Sequence, residues 1–560
     1  MAEPPDPQNA PREGDSGAHE PSPDSSSSGG SSGSEAPAGR RRGAGRLARS
    51  TAFFSFATGL SRIAGLVREI VAASYFGIKG PMSAFTIAFQ FPNLIRSLFA
   101  DQAIAAALVP VFTQELERGN RREAFRLAST LIFLALVVVG MLTAILILAA
   151  PLIMPLLAPG FDGRLEDLMI ALAQILFPIL VLLGVSGMVV GILNSYDRFA
   201  VFAIAPLFWN LAIIAVLVLL SPAFAEQDRI YAYAIGVLVG TVVQLAMVAY
   251  DLRNTPFRLQ RVFDWRSDQL KRVLMLMLPV TIGLGLINFN LVINSLFGTL
   301  VSDRAPAAID KAFRIYMLPQ GMFSVALTTV IFPTLSRFAA RGAFDDLRAT
   351  MANGMRQIVL LLMPAAAAIL VLSEPMIRLV YERGEFDASQ TELVATALFW
   401  FAFSLPFNGL FLILTRTFFS LQRPWISTAI AGLNLAVTAL ASLALYEPFG
   451  VAGIVAATAI ATAASVAAQG IVLRRTLGGL EITRLISTTV RITIASAVLA
   501  GVAYGAWWLL DDALGQGLGG QIVAMTVALA LGAASYAAAL FALRVPELQQ
   551  ILNLARRRDR

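Results

Sequence analysis

Apolar runs of about 20 residues, the length that crosses a bilayer as an α-helix, recur along most of this 560-residue chain. Fourteen such runs can be counted, centred near residues 64, 95, 140, 180, 210, 241, 284, 323, 364, 404, 436, 462, 497 and 530. Only 14% of the residues are charged, whereas soluble domains carry about 25%. The sequence therefore predicts an all-α integral membrane protein with about 14 transmembrane helices.

Arginine and lysine collect in every second connection between these runs, as expected of cytoplasmic loops. These basic residues fall within residues 40–46, 118–126, 253–272, 337–348, 416–423, 474–484 and 556–560, with Arg198 in the connection between the fourth and fifth runs. The intervening connections are short and mostly acidic or balanced, for example residues 162–167 and 382–392. Both termini are therefore predicted to lie in the cytoplasm, which requires an even number of spans.

Short motifs of the first half return in the second half at an offset of 223 to 225 residues. The matched pairs are Asn210–Ala212 with Asn434–Ala436, Asn194–Arg198 with Phe419–Arg423, Asp162 with Asp387, and Pro110 with Pro333. Each half holds six spans, so the halves share one orientation. We predict two six-helix lobes around a central cavity, plus two C-terminal helices outside the repeat.

The predicted domain boundaries follow from these patterns. Residues 1–47 are rich in Ser, Gly and Pro and are predicted to form a disordered cytoplasmic tail. The N-lobe covers residues 48–255, the C-lobe 256–480, the last two spans 481–545, and a basic cytoplasmic tail 546–560.

Several kinds of chemistry are excluded by composition. The chain has no cysteine, and its single histidine, His19, lies in the N-terminal tail. Disulfides, thiolate metal sites and Cys–His or Ser–His catalysis are therefore absent, and no P-loop motif for nucleotides occurs. We expect no enzymatic activity, no metal, no cofactor and no nucleic-acid partner.

Charged residues nevertheless lie inside the apolar runs, at Arg62 and Arg68 in the first, Arg96 and Asp101 in the second, and Arg314 in the eighth. A charge at the bilayer centre costs about 2.5 to 3.5 kcal/mol on insertion scales, so these side chains must face partners, water or a ligand. The alternative for each is a structural ion pair or a side chain that extends to the membrane surface.

The spacing of Ser61, Arg68 and Glu69 places them on roughly one side of the first helix, with Arg62 beside it. Together with Lys311, the arginines of these spans outnumber the nearby acids, which are Glu69, Asp101 and Asp310. The cavity should therefore be cationic and favour an anionic ligand. Arginine binds phosphate and carboxylate oxygens with two parallel hydrogen bonds.

The segments that carry these charges resemble signature stretches of the MurJ (MviN) family. They are Ser61–Glu69, Phe91–Asp101, Arg314 with Leu318–Gly321, Pro333–Ser336, Ala158–Phe161 and Asn194–Phe199. The resemblance covers roughly residues 50–480 and is most specific in the first two spans.

This resemblance implies a fold like the multidrug/oligosaccharidyl-lipid/polysaccharide exporter superfamily. It also implies that the substrate is lipid II, an undecaprenyl-diphosphate muropeptide. The protein would lie in the bacterial cytoplasmic membrane, in contact with membrane lipids, and would move lipid II from the inner to the outer leaflet by alternating access. The expected substrate-binding residues are Ser61, Arg62, Arg68, Arg96, Asp101 and Arg314. The last two spans would form a groove for the lipid tail.

The chain departs from the family pattern at Ser83, Ser97, Gln102 and Phe313, where other members commonly carry different, mostly charged, residues. Some members bind sodium, but Thr438 stands where an acid is expected, so no sodium site is predicted. The alternatives are export of another polyprenyl-linked glycan, export of drugs or cations, and a membrane glycosyltransferase. The last would need a catalytic carboxylate in a sizeable external loop.

Overall fold

The computed structural model describes residues 38–99, 102–262, 264, 268–545 and 547, which form helices and connections without a strand. The chain divides into two units, Met1–Thr51 and Ala52–Arg560. Of the first unit, residues 38–51 are described and are helical, so ten residues of the expected tail, 38–47, are helical. All contacts, cavities and sites described below lie in the second unit.

The helices of the first half are α1 (Ala38–Phe76), α2 (Gly80–Phe99), α3 (Gln102–Glu117), α4 (Arg121–Leu157), α5 (Gly163–Leu176), α6 (Ile179–Ser195), α7 (Ala200–Leu220) and α8 (Ile230–Leu252). The second half comprises α9 (Asp268–Val301), α10 (Ala305–Pro319), α11 (Ala326–Ala340), α12 (Phe344–Tyr381), α13 (Ala388–Ser420) and α14 (Pro424–Leu477). Two further helices follow, α15 (Ile482–Leu514) and α16 (Leu518–Ala542).

Within the described residues, the predicted spans lie on helical segments, with a turn at residues 177–178 inside the fourth span. Ten of these segments are long and apolar enough to cross a membrane, and two of the ten join α5 with α6 and α10 with α11. One of them, α14, contains two predicted spans because its backbone breaks at Gly450, where φ is +56°. The first, second and seventh predicted spans correspond to α1, to α2 with α3, and to α9. The predicted all-helical membrane fold is confirmed.

The internal repeat is also present in the backbone. Asp197 and Gln422, 225 positions apart, both adopt positive φ, +57° and +56°, which is uncommon for residues other than glycine. Asp162 and Asp387, also 225 apart, each cap a helix by accepting the N–H of the residue three positions on, at 3.1 and 3.0 Å. The same local chemistry therefore starts equivalent helices in both halves.

The two halves meet mainly where α2 and α3 pack against α9 and where α2 packs against α10. Small side chains on α1 and α10 belong to one buried core cluster, among them Ala72, Ala73, Ala307 and Ala308. Small residues let membrane helices approach closely. The N–H of Ala307 also donates to Ser83 Oγ at 3.2 Å, which ties α10 directly to α2.

The chain around the turn between α1 and α2 is hydrogen-bonded to the chain around the turn before α13. Both turns lie at the end of the molecule where the acidic connections are. Ser74 O accepts the N–H of Glu385 at 2.9 Å, and the N–H of Ile78 donates to Gln390 Oε1 at 2.7 Å. Gly384 has a φ of +62°, and a Cβ there would lie 2.3 Å from Ser74 O. Only glycine fits, so the halves are closed against each other at this end.

The C-terminal hairpin of α15 and α16 is tied to α12 by two arginines. Arg356 Nε lies 2.7 Å from Glu547 Oε1, with both side chains nearly sealed from solvent. Near the other end of α12, Arg378 pairs with Asp511 and stacks on Trp507, with 5.8 Å from Cζ to the ring centroid. The hairpin is therefore attached to the second half at both of its ends.

Candidate functional site

A cavity of about 460 Å³ lies between the two halves, a size typical of small-ligand sites. Helices α1, α2 and α8 form one wall, and α9, α10, α13 and α14 form the other. Charged side chains in the lining come from α1 and α10, namely Arg68, Glu69, Asp310 and Arg314.

Glu69 is the centre of this charged cluster. Its Oε1 lies 2.5 Å from Arg68 Nη2 and 3.2 Å from Arg314 Nη1, and its Oε2 lies 2.7 Å from Lys311 Nζ. Arg314 is also held by Asp310, with 2.9 Å between Nε and Oδ2. One carboxylate of the first half thus binds two cations of the second half, about two helical turns below the closed end.

The cluster contains more cations than acids. Arg68, Lys311 and Arg314 face Glu69 and Asp310, which leaves one positive charge uncompensated within the cluster. The Lys311 side chain is 0% exposed and that of Arg68 is 8% exposed, whereas that of Arg314 is 33% exposed. Arg314 is therefore the cation of the cluster that an anionic ligand in the cavity can reach best.

Two aromatic rings hold the buried cations in place. The guanidinium of Arg68 stacks over Trp209, with Cζ 4.8 Å from the ring centroid, and Lys311 Nζ lies 5.7 Å from the ring of Tyr381. The negative faces of aromatic rings attract cations, more strongly when water is excluded. Trp209 belongs to α7 and Tyr381 to α12, so each half fixes one of the cations with its own helices.

The structure brings together two of the residues predicted from the sequence, Arg68 and Arg314, through Glu69. Ser61 and Arg62 do not line this cavity. Arg62 is exposed, lies beside Gly321 of the π-helical segment Gln320–Val325, and has no ion-pair partner among the described residues. Six positions along a helix place Arg62 roughly 240° around the axis from Arg68.

Two further residues of the predicted set are not part of the described site. Asp101 lies outside the described residues, and for Arg96 the backbone but not the side chain is described. Their contribution to the site remains a prediction from the sequence.

Sequence reasoning noticed Lys311 as a nearby charge but did not predict its burial or its bond to Glu69. It also passed over three amide side chains of the cavity wall, at Asn290, Asn294 and Asn408, and used Asn434 only in the repeat and in the comparison with a sodium site. These residues could have been found from the sequence as asparagines within apolar runs, because a polar group placed in a membrane helix needs a partner.

The amide of Asn434 is hydrogen-bonded to side chains of α9 and α14. Asn290 Nδ2 donates to Asn434 Oδ1 at 2.8 Å, and Asn434 Nδ2 donates to Ser465 Oγ at 3.0 Å. The hydroxyl of Thr438 donates to Asn434 O at 2.9 Å. The described part of the chain has no group of three or more His, Cys, Asp or Glu that could hold a metal. The hydrogen bonds described here bring no carboxylate to Asn434.

Two lobes of membrane-crossing helices with a charged cavity at their junction define a polytopic membrane transporter. Solved structures share the fold. "Lipid II flippase MurJ, inward closed conformation" superposes with a TM-score of 0.73 at 21% identity, covering 88% of this chain and 99% of that one. An inward-facing MATE family transporter of the MOP superfamily superposes with a TM-score of 0.62 at 15% identity, covering 75% and 94%.

The sequence comparisons define the family. The family model described as "Lipid II flippase MurJ" matches residues 72–528. A protein of Rhizobium meliloti (strain 1021) named "Probable lipid II flippase MurJ" is 34% identical over 458 residues, which is 79% of this chain and 84% of that protein. The chain belongs to the MurJ family.

Proposed function

We propose that this protein is a lipid II flippase that moves undecaprenyl-diphosphate muropeptide from the inner to the outer leaflet by alternating access. The observation that carries the proposal is the cationic cluster around Glu69 in the wall of the cavity between the lobes. The names of the relatives support the same substrate. The protein performs no bond chemistry in this scheme.

Arg314 and Arg68 are proposed to bind the diphosphate. Both line the cavity, and a guanidinium forms paired hydrogen bonds with phosphate oxygens. Glu69 occupies the same cations in this structure. A diphosphate therefore competes with Glu69, weakens the connection between α1 and α10, and favours separation of the lobes at the closed end. Differential binding of this kind is what shifts a conformational equilibrium.

The other residues of the proposed binding set are Ser61, Arg62, Arg96 and Asp101, on the basis of the family resemblance. Arg62 is available for this role because it is exposed and lacks an ion-pair partner among the described residues. Both termini are proposed to be cytoplasmic, with the lobe boundaries predicted from the sequence.

The lipid tail is proposed to lie along the C-terminal hairpin. An apolar groove of about 510 Å³ runs between α12, α13 and α15, with Leu370, Phe403, Leu410 and Ala497 among its lining residues. None of the described side chains in this groove is charged, so it suits a polyprenyl chain.

Export of another polyprenyl-linked glycan would use the same diphosphate site and remains the closest alternative. Export of a cationic drug is disfavoured because the accessible charged residue, Arg314, would repel it. A glycosyltransferase is disfavoured because the described connections at the closed end, such as residues 302–304 and 382–387, are too short to form a separate catalytic site.

The test is outward translocation of labelled lipid II in vesicles containing the wild type, Arg314→Ala, Arg62→Ala or Arg341→Ala. Arg341 is an exposed residue outside the cavity and serves as the matched control. We expect transport by the wild type and the control, and at least a tenfold loss in Arg314→Ala. Normal transport in both Arg314→Ala and Arg62→Ala would refute the site. Wild type that moves only a different polyprenyl glycan would refute the substrate.

A further inference from the structure

A second cavity, of about 490 Å³, lies within the first half between α2, α6, α7 and α8. We call it the side pocket. It adjoins the central cavity, because Phe89 and Asn93 of α2 line both. A ligand in the central cavity therefore has a neighbouring space available on the N-lobe side.

The stacked pair of Arg68 and Trp209 lies at the boundary between the two cavities. Arg68 lines the central cavity and Trp209 lines the side pocket, with 4.8 Å between the guanidinium carbon and the ring centroid. The indole N–H of Trp209 donates to Thr241 Oγ1 at 3.1 Å, which fixes the ring. The charged part of the central cavity therefore ends at the ring of Trp209, and the uncharged side pocket begins there.

The side pocket contains several polar side chains but no charged one among the described residues. Its polar lining consists of Asn93, Ser186, Asn194, Thr241 and Gln244. The Oδ1 atom of Asn194 is buried and has no hydrogen-bond partner within the described part of the chain. Leaving a buried acceptor unsatisfied costs about 1 to 3 kcal/mol, and a ligand donor toward which the Asn194 side chain turned would recover part of this cost.

The internal repeat shows that the fold does not require polar side chains at three of these positions. At an offset of 224 or 225 residues, Phe419 takes the place of Asn194 and Leu433 takes the place of Trp209. Ser186 is likewise replaced by Phe411. Thr241 and Gln244 are matched by Ser465 and Gln469, so at those two positions polarity is common to both lobes. Asn194, Trp209 and Ser186 therefore give the N-lobe pocket a polar character that the C-lobe lacks.

We propose that the side pocket is a subsite for an uncharged, N-acylated sugar of the substrate headgroup, beside the diphosphate in the central cavity. This inference rests on the proposed function. Amide side chains can exchange hydrogen bonds with hydroxyl and acetamido groups, and Trp209 provides a flat apolar face for a sugar ring. The peptide part of a muropeptide carries ionised groups, which would be left unpaired in an uncharged pocket.

Binding of two lipids to the full-length protein in nanodiscs tests the subsite. Lipid II carries sugars and diphosphate, whereas undecaprenyl diphosphate carries the diphosphate alone. We expect Asn194→Leu and Gln244→Leu each to weaken binding of lipid II about tenfold and to leave binding of undecaprenyl diphosphate unchanged. Phe419→Leu, at the repeat position of Asn194, should change neither.

Unchanged lipid II binding in both pocket variants would overturn the subsite, as would equal weakening of both lipids. A soluble probe, N,N′-diacetylchitobiose, separates this inference from the proposed function. The first outcome is that the wild type binds the disaccharide and Asn194→Leu does not, but the wild type fails to translocate lipid II. In that case the subsite stands and the flippase proposal fails. If instead the wild type translocates lipid II and neither pocket variant changes lipid II binding, the flippase proposal stands and the subsite fails.

Discussion

Glu69 Oε2 on α1 lies 2.7 Å from Lys311 Nζ on α10, and the two side chains are 4% and 0% exposed. This ion pair joins the two lobes in a place that water does not reach. Removing one partner of a buried pair costs about 3 to 5 kcal/mol, because the remaining charge is left without full compensation.

Replacing Lys311 by methionine is therefore expected to lower the stability of the protein. Glu69 keeps Arg68 and Arg314 as partners, so the loss should fall near the lower end of the range for buried pairs, about 3 kcal/mol. A thermal melt in detergent measures the effect. Lys79→Met is the control, because the pair of Lys79 with Glu385 is about half exposed and such pairs contribute about 1 kcal/mol or less. Equal melting shifts in both variants would contradict the argument.

Replacing Glu69 by glutamine is expected to strengthen binding of undecaprenyl diphosphate. The neutral amide no longer competes with the diphosphate for Arg68 and Arg314, so the surplus positive charge of the cluster rises. We expect about a tenfold gain in affinity, equivalent to about 1.4 kcal/mol. Equilibrium binding in nanodiscs is the measurement, with the exposed Glu385→Gln as control. Weaker binding by Glu69→Gln would show that Glu69 positions the arginines rather than competing with the ligand.

A disulfide across the closed end is expected to stop transport. The chain has no cysteine, so Ser74→Cys with Glu385→Cys introduces one defined pair where Ser74 O and the N–H of Glu385 are 2.9 Å apart. Oxidation should abolish lipid II translocation, and a reductant should restore it. Each single variant is a control. Continued transport by the oxidised double variant would mean that the lobes do not separate there.

Replacing Arg356 by leucine is expected to destabilise the attachment of the C-terminal hairpin. Glu547 would be left buried, with 4% exposure and without its cation, so the melting temperature should fall. Adding Glu547→Gln should restore part of the loss, because it removes the uncompensated charge. Arg348→Leu breaks an ion pair with the exposed Asp345 and is the control. No rescue by the second substitution would indicate that Arg356 acts through packing.

Much of the fold could be predicted from the sequence because membranes impose local rules. The length of the apolar runs, the alternation of arginine-rich connections and the offset between Asn210 and Asn434 depend on stretches of chain that can be examined one at a time. A break such as Gly450 within α14 hardly affects this reasoning, because a span is defined by its length and hydropathy.

The candidate site could be predicted only in part. Helical spacing indicated that Arg68 and Glu69 share one face of α1, and Arg314 stood out as an arginine deep in an apolar run. Spacing could not show that Glu69 would bind Lys311, 242 positions later in the chain. It also placed Arg62 beside that face, and the structure puts the Arg62 guanidinium next to Gly321, the neighbour of the cavity-lining Gln320.

The lengths of the apolar runs and the positions of the arginines are enough to define a two-lobed helical membrane protein with cationic groups inside its spans. The packing of the helices makes Glu69 the shared partner of three cations, buries Lys311 while Arg314 reaches the cavity, and forms an uncharged side pocket beside Trp209. The physical reason is that periodicity defines the faces of one helix, whereas the partners of a face depend on how distant helices pack together.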